Sequence, residues 1–182
     1  MKTIHEQGHT FQEWITQEQI AKDVAQVAAR ISADYAGKVP LFAVVLNGAF
    51  IFAADLVRAL EDLRCEVTFI RVRSYNGMSS SGELEFLVPL QQPVENRDVI
   101  IVEDIVDTGL TIHGLKEYIL AQGASSVRVA AMLCKPGKLE YADARPDYVG
   151  REIPNEFVIG CGLDLDGFVR NLASIYKVHD NK

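Results

Sequence analysis

Two adjacent acids, Glu103 and Asp104, follow the apolar run Val99-Ile100-Ile101-Val102, and Asp107-Thr108-Gly109-Leu110-Thr111 comes directly after Ile105-Val106. The β-branched run reads as a buried strand of a parallel sheet. Open α/β sheets bind their ligands at the carboxyl ends of such strands. Here that end gathers carboxylates, two hydroxyls and the free N–H groups of a starting helix. A helix N-terminus suits a phosphate. The paired acids suit ribose hydroxyls, a divalent cation, or both. By residue type alone they also fit a solvated strand end, with Asp107 as a helix cap. Acids set directly after a fully apolar strand are, however, unusual in a plain connection.

The surrounding elements alternate. Thr16-Gln17-Glu18-Gln19 forms a capping box. Ile20, Val24, Val27, Ala28, Ile31 and Tyr35 then recur at helical spacing until Gly37. Residues 41–46 predict a short buried strand, Asn47-Gly48 a turn, and 49–60 an apolar helix with Asp55 and Arg58 on its wet side. Strands are predicted at 65–73, 83–88, 98–102 and 126–134, with a helix over 111–122 closed by Gly123. Residues 75–82 form a polar loop, and Tyr148-Val149 and 157–159 read as short late strands. The pattern predicts an α/β fold, a central mostly parallel sheet flanked by helices. Both chain ends lie beyond the alternation and are expected to build a small hood over the strand ends. A length of 182 residues fits one domain spanning 1–182.

Composition excludes some functions. The formal net charge is -7 and no Lys/Arg cluster stands out, which argues against nucleic-acid binding. An anionic substrate would need a metal ion and local donors against that field. Cys65, Cys134 and Cys161 are dispersed, which argues against a disulfide framework or zinc site and fits a reducing compartment. The segment Met1-Lys2-Thr3-Ile4-His5-Glu6 lacks the apolar region of a signal peptide, and no run has the length of a membrane span. A cytoplasmic location without membrane attachment is the expectation.

The run from Val99 to Thr111 resembles the phosphoribosyl-diphosphate (PRPP) signature of the type I phosphoribosyltransferases: apolar strand, two acids, two apolar residues, Asp-Thr-Gly-x-Thr. Further segments narrow the resemblance. They are Leu46-Asn47-Gly48, Ser74-Tyr75, Lys135, Asp147-Tyr148-Val149-Gly150-x-Glu152-Ile153-Pro154, Phe157-Val158-Ile159-Gly160-Cys161-Gly162-Leu163-Asp164, and Arg170. Together, from Val44 to Arg170, they resemble the hypoxanthine (hypoxanthine-guanine) phosphoribosyltransferases. The resemblance implies the type I phosphoribosyltransferase fold. It also implies displacement of pyrophosphate from C1′ of PRPP by N9 of a 6-oxopurine, giving IMP or GMP.

Roles carried over by the resemblance are these. Asp107, Thr108, Gly109, Leu110 and Thr111 would hold the 5′-phosphate. Glu103 and Asp104 would hold the ribose hydroxyls directly or through Mg²⁺. Asp107 would face the purine N7 as general acid/base. Lys135 would donate to the purine O6, Phe157 would stack on the ring, and Val158 would offer backbone groups to its edge. Asp164 would orient a second Mg²⁺ through water, and Arg170 with Leu46, Asn47 and Gly48 would bind pyrophosphate. In this family the first peptide of that loop is often cis. Ser74 and Tyr75 would close over the reacting centre. Four positions depart from relatives: Asn47 stands where many have Lys, Leu110 where some have a basic residue, and the pair Cys161-Gly162 where some have a bulkier pair. A homodimer or homotetramer is implied. The competing readings are a transferase for xanthine or another base, and a PRPP- or nucleotide-sensing regulator. A regulator would be expected to carry a basic surface or an added DNA-binding domain, and the acidic balance, the short length and the intact set Glu103, Asp104, Asp107, Lys135 and Arg170 argue against it.

Overall fold

A computed structural model describes residues 2–74 and 84–179. Its centre is a six-stranded sheet in the order β5-β4-β3-β6-β7-β8. The strands are β3 (Leu41–Val45), β4 (Glu66–Ser74), β5 (Leu84–Val88), β6 (Asp98–Val106), β7 (Ser126–Cys134) and β8 (Tyr148–Glu152). All neighbours pair in parallel except β5, which runs antiparallel to β4 at one edge.

Side chains alternate across a strand, so each central strand feeds two cores. Phe42, Val44, Ile100, Val102, Ala130 and Met132 face α1 (Gln17–Asp34) and α2 (Phe50–Ala59). Leu41, Ala43, Val99, Ile101, Val129 and Ala131 face α3 (Leu110–Ala121). That double burial is why these strands read as continuous apolar runs. The capping box at Thr16 is formed, with its hydroxyl accepting from the Gln19 N–H and the Gln19 side chain accepting from the Thr16 N–H.

The expected hood is a second, antiparallel sheet in the order β1-β2-β10-β9. It joins β1 (Thr3–Glu6) and β2 (His9–Ile15) to β9 (Val158–Ile159) and β10 (Ile175–Val178). Its own small core is Phe11, Ile159 and Tyr176. The strand periodicity of β1, β2 and β10 escapes the sequence because in β2 only Phe11 and Ile15 are fully buried. Sparse burial leaves a weak alternation signal.

Two boundaries differ from expectation. Strand β6 runs to Val106, through the acids rather than ending before them. The reason lies in its neighbours: β3 last pairs at Val44↔Val102, whereas β7 continues through Ile105↔Leu133 and Val106↔Cys134. Helix α3 starts at Leu110, capped by Gly109 at φ 89°, so Thr111 lies inside the first turn and is not the cap. The loop expected at 75–82 falls outside the described residues. No described helix is long and apolar enough to cross a membrane.

Candidate active site

Past the end of β3, strand β6 presents Glu103 and Asp104 beside the turn that follows β3. Glu103 is buried. Its Oε1 accepts the Asp104 N–H at 3.1 Å, and Asp104 Oδ1 accepts the Ile105 N–H at 2.7 Å. Burial pushes the Glu103 carboxyl well above the ordinary carboxylate range, and the neighbouring Asp104 charge adds to it. Burial raises Asp104 as well, against the opposing pull of local hydrogen bonds and the Arg170 charge.

The Leu46–Asn47 peptide is cis. Gly48 lies so close to Asp104 that a Cβ there would sit 1.7 Å from Asp104 Oδ2. On the other side, a Cβ on Gly162, whose φ is +97°, would sit 2.1 Å from the Gly48 carbonyl oxygen. Only glycines fit both places. The loop after β9 therefore meets the turn after β3 backbone to backbone, and that turn lies directly against the Asp104 carboxylate.

Next along β6, the loop into α3 forms a cavity of about 240 Å³ whose lining includes Glu103, Asp107, Thr108, Gly109, Leu110 and Thr111. The left-handed Gly109 turns the chain into α3, and a Cβ on it would press 2.6 Å from the Ala144 methyl. The first N–H groups of α3 have no acceptors in the helix below them, which suits this end to an anion. Thr108 Oγ1 accepts one of them, from Leu110, at 3.4 Å.

Asp107 does not cap the helix. Its Oδ2 lies 3.0 Å from Lys135 Nζ and its Oδ1 2.9 Å from Lys138 Nζ. Burial alone would raise this carboxyl, but the two ammonium groups outweigh it and hold Asp107 below its ordinary value. Lys135 is buried. It directly follows β7, and its N–H donates to the Val106 carbonyl at 2.9 Å. Lys138 escaped the sequence reading, since a lysine in a polar turn carries no pattern.

On the hood, Phe157 is 51% exposed. Its pattern alone would have made it a core strand residue. Its ring stands 6.3 Å from that of Phe11, and the two share a groove of about 390 Å³ with His9, Leu165 and Val178. Val158 is buried and pairs with Lys177 of β10. Asp164 and Arg170 are brought together: Asp164 Oδ1 lies 2.8 Å from Arg170 Nη2, while its Oδ2 accepts the Gly167 N–H at 2.7 Å. Arg170 Nη1 donates to the Gly162 carbonyl at 2.7 Å.

Among the described residues no three His, Cys, Asp or Glu side chains converge, so Asp164 does not join Glu103 and Asp104 in one cluster. The Glu103–Asp104 pair alone fits a hard cation. It is an all-oxygen donor set in which burial raises both carboxyls and the Asp104 charge raises Glu103 further. Ser74 ends β4 opposite Leu84 of β5. Tyr75 lies outside the described residues.

The model of the phosphoribosyl transferase domain family matches residues 12–166. The hypoxanthine-guanine phosphoribosyltransferase of Streptococcus thermophilus (strain CNRZ 1066) is 42% identical over 162 residues, which cover 88% of this chain and 88% of that protein. The protein of the same name from Bacillus subtilis (strain 168) is 40% identical, covering 88% and 89%. Among solved structures, a hypoxanthine-guanine phosphoribosyltransferase from Bacillus anthracis with a HEPES molecule in its active site superposes with a TM-score of 0.87. It is 33% identical and covers 92% of this chain and 98% of that one.

Proposed function

The chain belongs to the phosphoribosyl transferase domain family, and from that premise we propose that it is a purine-salvage enzyme. It moves the 5-phosphoribosyl group of PRPP to N9 of a 6-oxopurine, hypoxanthine or guanine, and releases pyrophosphate. The observation that carries this reading is the contact of Lys135 with Asp107, which lines the same cavity as Thr108, Gly109 and Thr111. It sets an acid/base group and a donor for a 6-oxo group beside a phosphate-binding helix start.

Thr108, Gly109, Leu110 and Thr111 receive the 5′-phosphate, with the N–H groups at the start of α3 facing the anion. Glu103 and Asp104 take the ribose hydroxyls and Mg²⁺. Asp164 is assigned a second ion through water. When bound, Mg²⁺ supplies positive charge that offsets what builds on the departing pyrophosphate. Arg170 and the backbone of Leu46, Asn47 and Gly48 hold that pyrophosphate. Asn47 adds no charge, so main-chain N–H groups do the binding there. Asp107 takes the proton from the imidazole edge of the purine. The N–H bond breaks, an O–H bond forms on the carboxylate, and N9 is left as the nucleophile at C1′. Lys135 donates to O6 and so rejects 6-amino purines, which offer no acceptor. Phe157 stacks on the ring, and its exposure supports that use. Val158 meets the base edge through its backbone. Ser74 and Tyr75 are assigned closure over the centre.

The exposed Val67 and Phe69 on one face of β4 support self-association as a homodimer or homotetramer. Residues 1–182 act as one cytoplasmic catalytic unit.

The test is to incubate purified protein with PRPP and Mg²⁺ and to follow ultraviolet spectra with hypoxanthine, guanine, xanthine and adenine separately. Turnover of hypoxanthine or guanine but not adenine is expected. No turnover of any base, with PRPP still bound, would leave a nucleotide-sensing role or a non-purine acceptor in its place.

A further inference from the structure

Lys138 stands outside every motif of the sequence. After β7 the chain turns through the 3₁₀ helix Pro136–Lys138, closed by the Lys138 N–H donating to the Lys135 carbonyl at 2.9 Å. Lys135 precedes this turn and Lys138 ends it, and the two side chains leave it on the same side. They grip one carboxylate, with Lys135 Nζ 3.0 Å from Asp107 Oδ2 and Lys138 Nζ 2.9 Å from Oδ1. The turn is itself pinned to the phosphate loop on both flanks. The Lys135 N–H donates to the Val106 carbonyl and the Glu140 N–H to the Thr108 carbonyl, each at 2.9 Å. Leu139 packs into the same core as Val106 and Ile112. The backbone from which both lysines reach Asp107 is therefore fixed against the phosphate loop.

The purine cannot bind as proposed without disturbing this clamp. Its O6 needs Lys135, which is held by Asp107 in the free protein. We propose that Lys138 is a positioning residue for the transfer, keeping the Asp107 carboxylate ionised and in place while the purine draws Lys135 to O6. This rests on the functional reading above. Once Lys135 is shared with the base, Lys138 is the counter-charge left to Asp107 at the moment it must accept a proton. The charged groups that face Asp107 are Lys135 and Lys138 from the turn, with Glu103 of β6 lining the same cavity. The two lysines offset the rise that burial imposes on this carboxyl.

Two readouts test it. The first is a ¹³C titration of the Asp107 carboxyl in the free protein, which needs no substrate. The second is the acid limb of the pH profile of kcat/KM. Lys138→Met is expected to move both upward by about one pH unit, with the KM for PRPP unchanged. Lys138→Arg is expected to return both to the wild-type position, which loss of packing alone would not produce. Lys138 is about one-third exposed on a surface turn, and Lys138→Gln serves as the second neutral variant should the methionine form misfold. An Asp107 titration that ignores both neutral variants overturns the clamp. Absence of wild-type turnover with every base, beside a titration that does respond to Lys138, overturns the transferase reading and with it the role in transfer.

Discussion

At the start of β6, Asp98 accepts from the Ser126 hydroxyl and pairs with Lys38 at 3.2 Å, and these contacts hold it below its ordinary value. Further along the same strand, Asp104 has backbone donors and a second carboxylate beside it, and its burial moves it the other way. The neighbouring strand β7 repeats the contrast. Arg128 near its start lies 2.6 Å from both Asp34 and the Tyr148 hydroxyl, which in turn donates to Asp34 at 2.7 Å. Every charge there has its partner within the protein, and the cluster ties α1 to β7 and β8. At the opposite end the carboxylates Glu103 and Asp104 outnumber the cations that reach them. One end of the sheet has its electrostatics closed, and the other leaves them open for a ligand to complete.

The difference can be broken from either side. Asp107→Asn removes the acid/base group from the open end and is expected to lower kcat by about 100- to 10,000-fold, with PRPP affinity retained in a binding titration. Unchanged turnover would remove Asp107 from the chemistry. Glu103→Gln with Asp104→Asn is expected to weaken PRPP and Mg²⁺ binding while leaving the metal-free protein as heat-stable as wild type or more so, because two buried like charges are gone. Wild-type PRPP affinity in this double variant would sink the assignment. Gly48→Ala drives a methyl into Asp104 and is expected to cost about 1–3 kcal/mol by overpacking, seen in thermal melts together with weaker PRPP binding.

The closed end should respond in stability alone. Tyr148→Phe is expected to cost about 1 kcal/mol without altering kcat, and a fall in kcat would mean the two ends communicate. The smallest effect is in pH. Asp34 is held low first by the Tyr148 hydroxyl and then by Arg128, and Asp98 first by Ser126. Their folded values lie below the unfolded one near 3.8. Their contribution is therefore present above that pH and lost as pH falls below it. In acid melts Arg128→Met should lose less stability than wild type across that window.

The sequence made the open end legible and hid most of the closed one. Glu103, Asp104 and the Asp107–Thr111 loop announce themselves because acids after four β-branched residues have no packing reason to be there. The parallel core strands are readable for a similar reason, being apolar on both faces. Arg128, Asp34 and Tyr148 belong to three separate elements and carry no shared spacing, so only the assembled sheet unites them. Lys138 is hidden in the same way, since its partner Asp107 lies across a strand crossover. The hood strands β1, β2 and β10 bury too few residues to show a period. The length of β6 depended on β7 outlasting β3, which is a property of neighbours and not of its own residues.

The back-to-back seating of Gly48 and Gly162 bears on how this scaffold could be redesigned. Under the proposed function Phe157 and Val158 of the hood would meet the purine while Lys135 reaches it from the main sheet, so a hood transplanted from a relative would exchange one part of the base site. The graft has a seam, and the seam consists of main-chain atoms with no room for a side chain. Swapped hoods that keep a glycine at 162 would therefore seat without disturbing the turn after β3. Those that do not would push on Gly48, and through it on Asp104, so a change meant for the purine would be felt at the ribose.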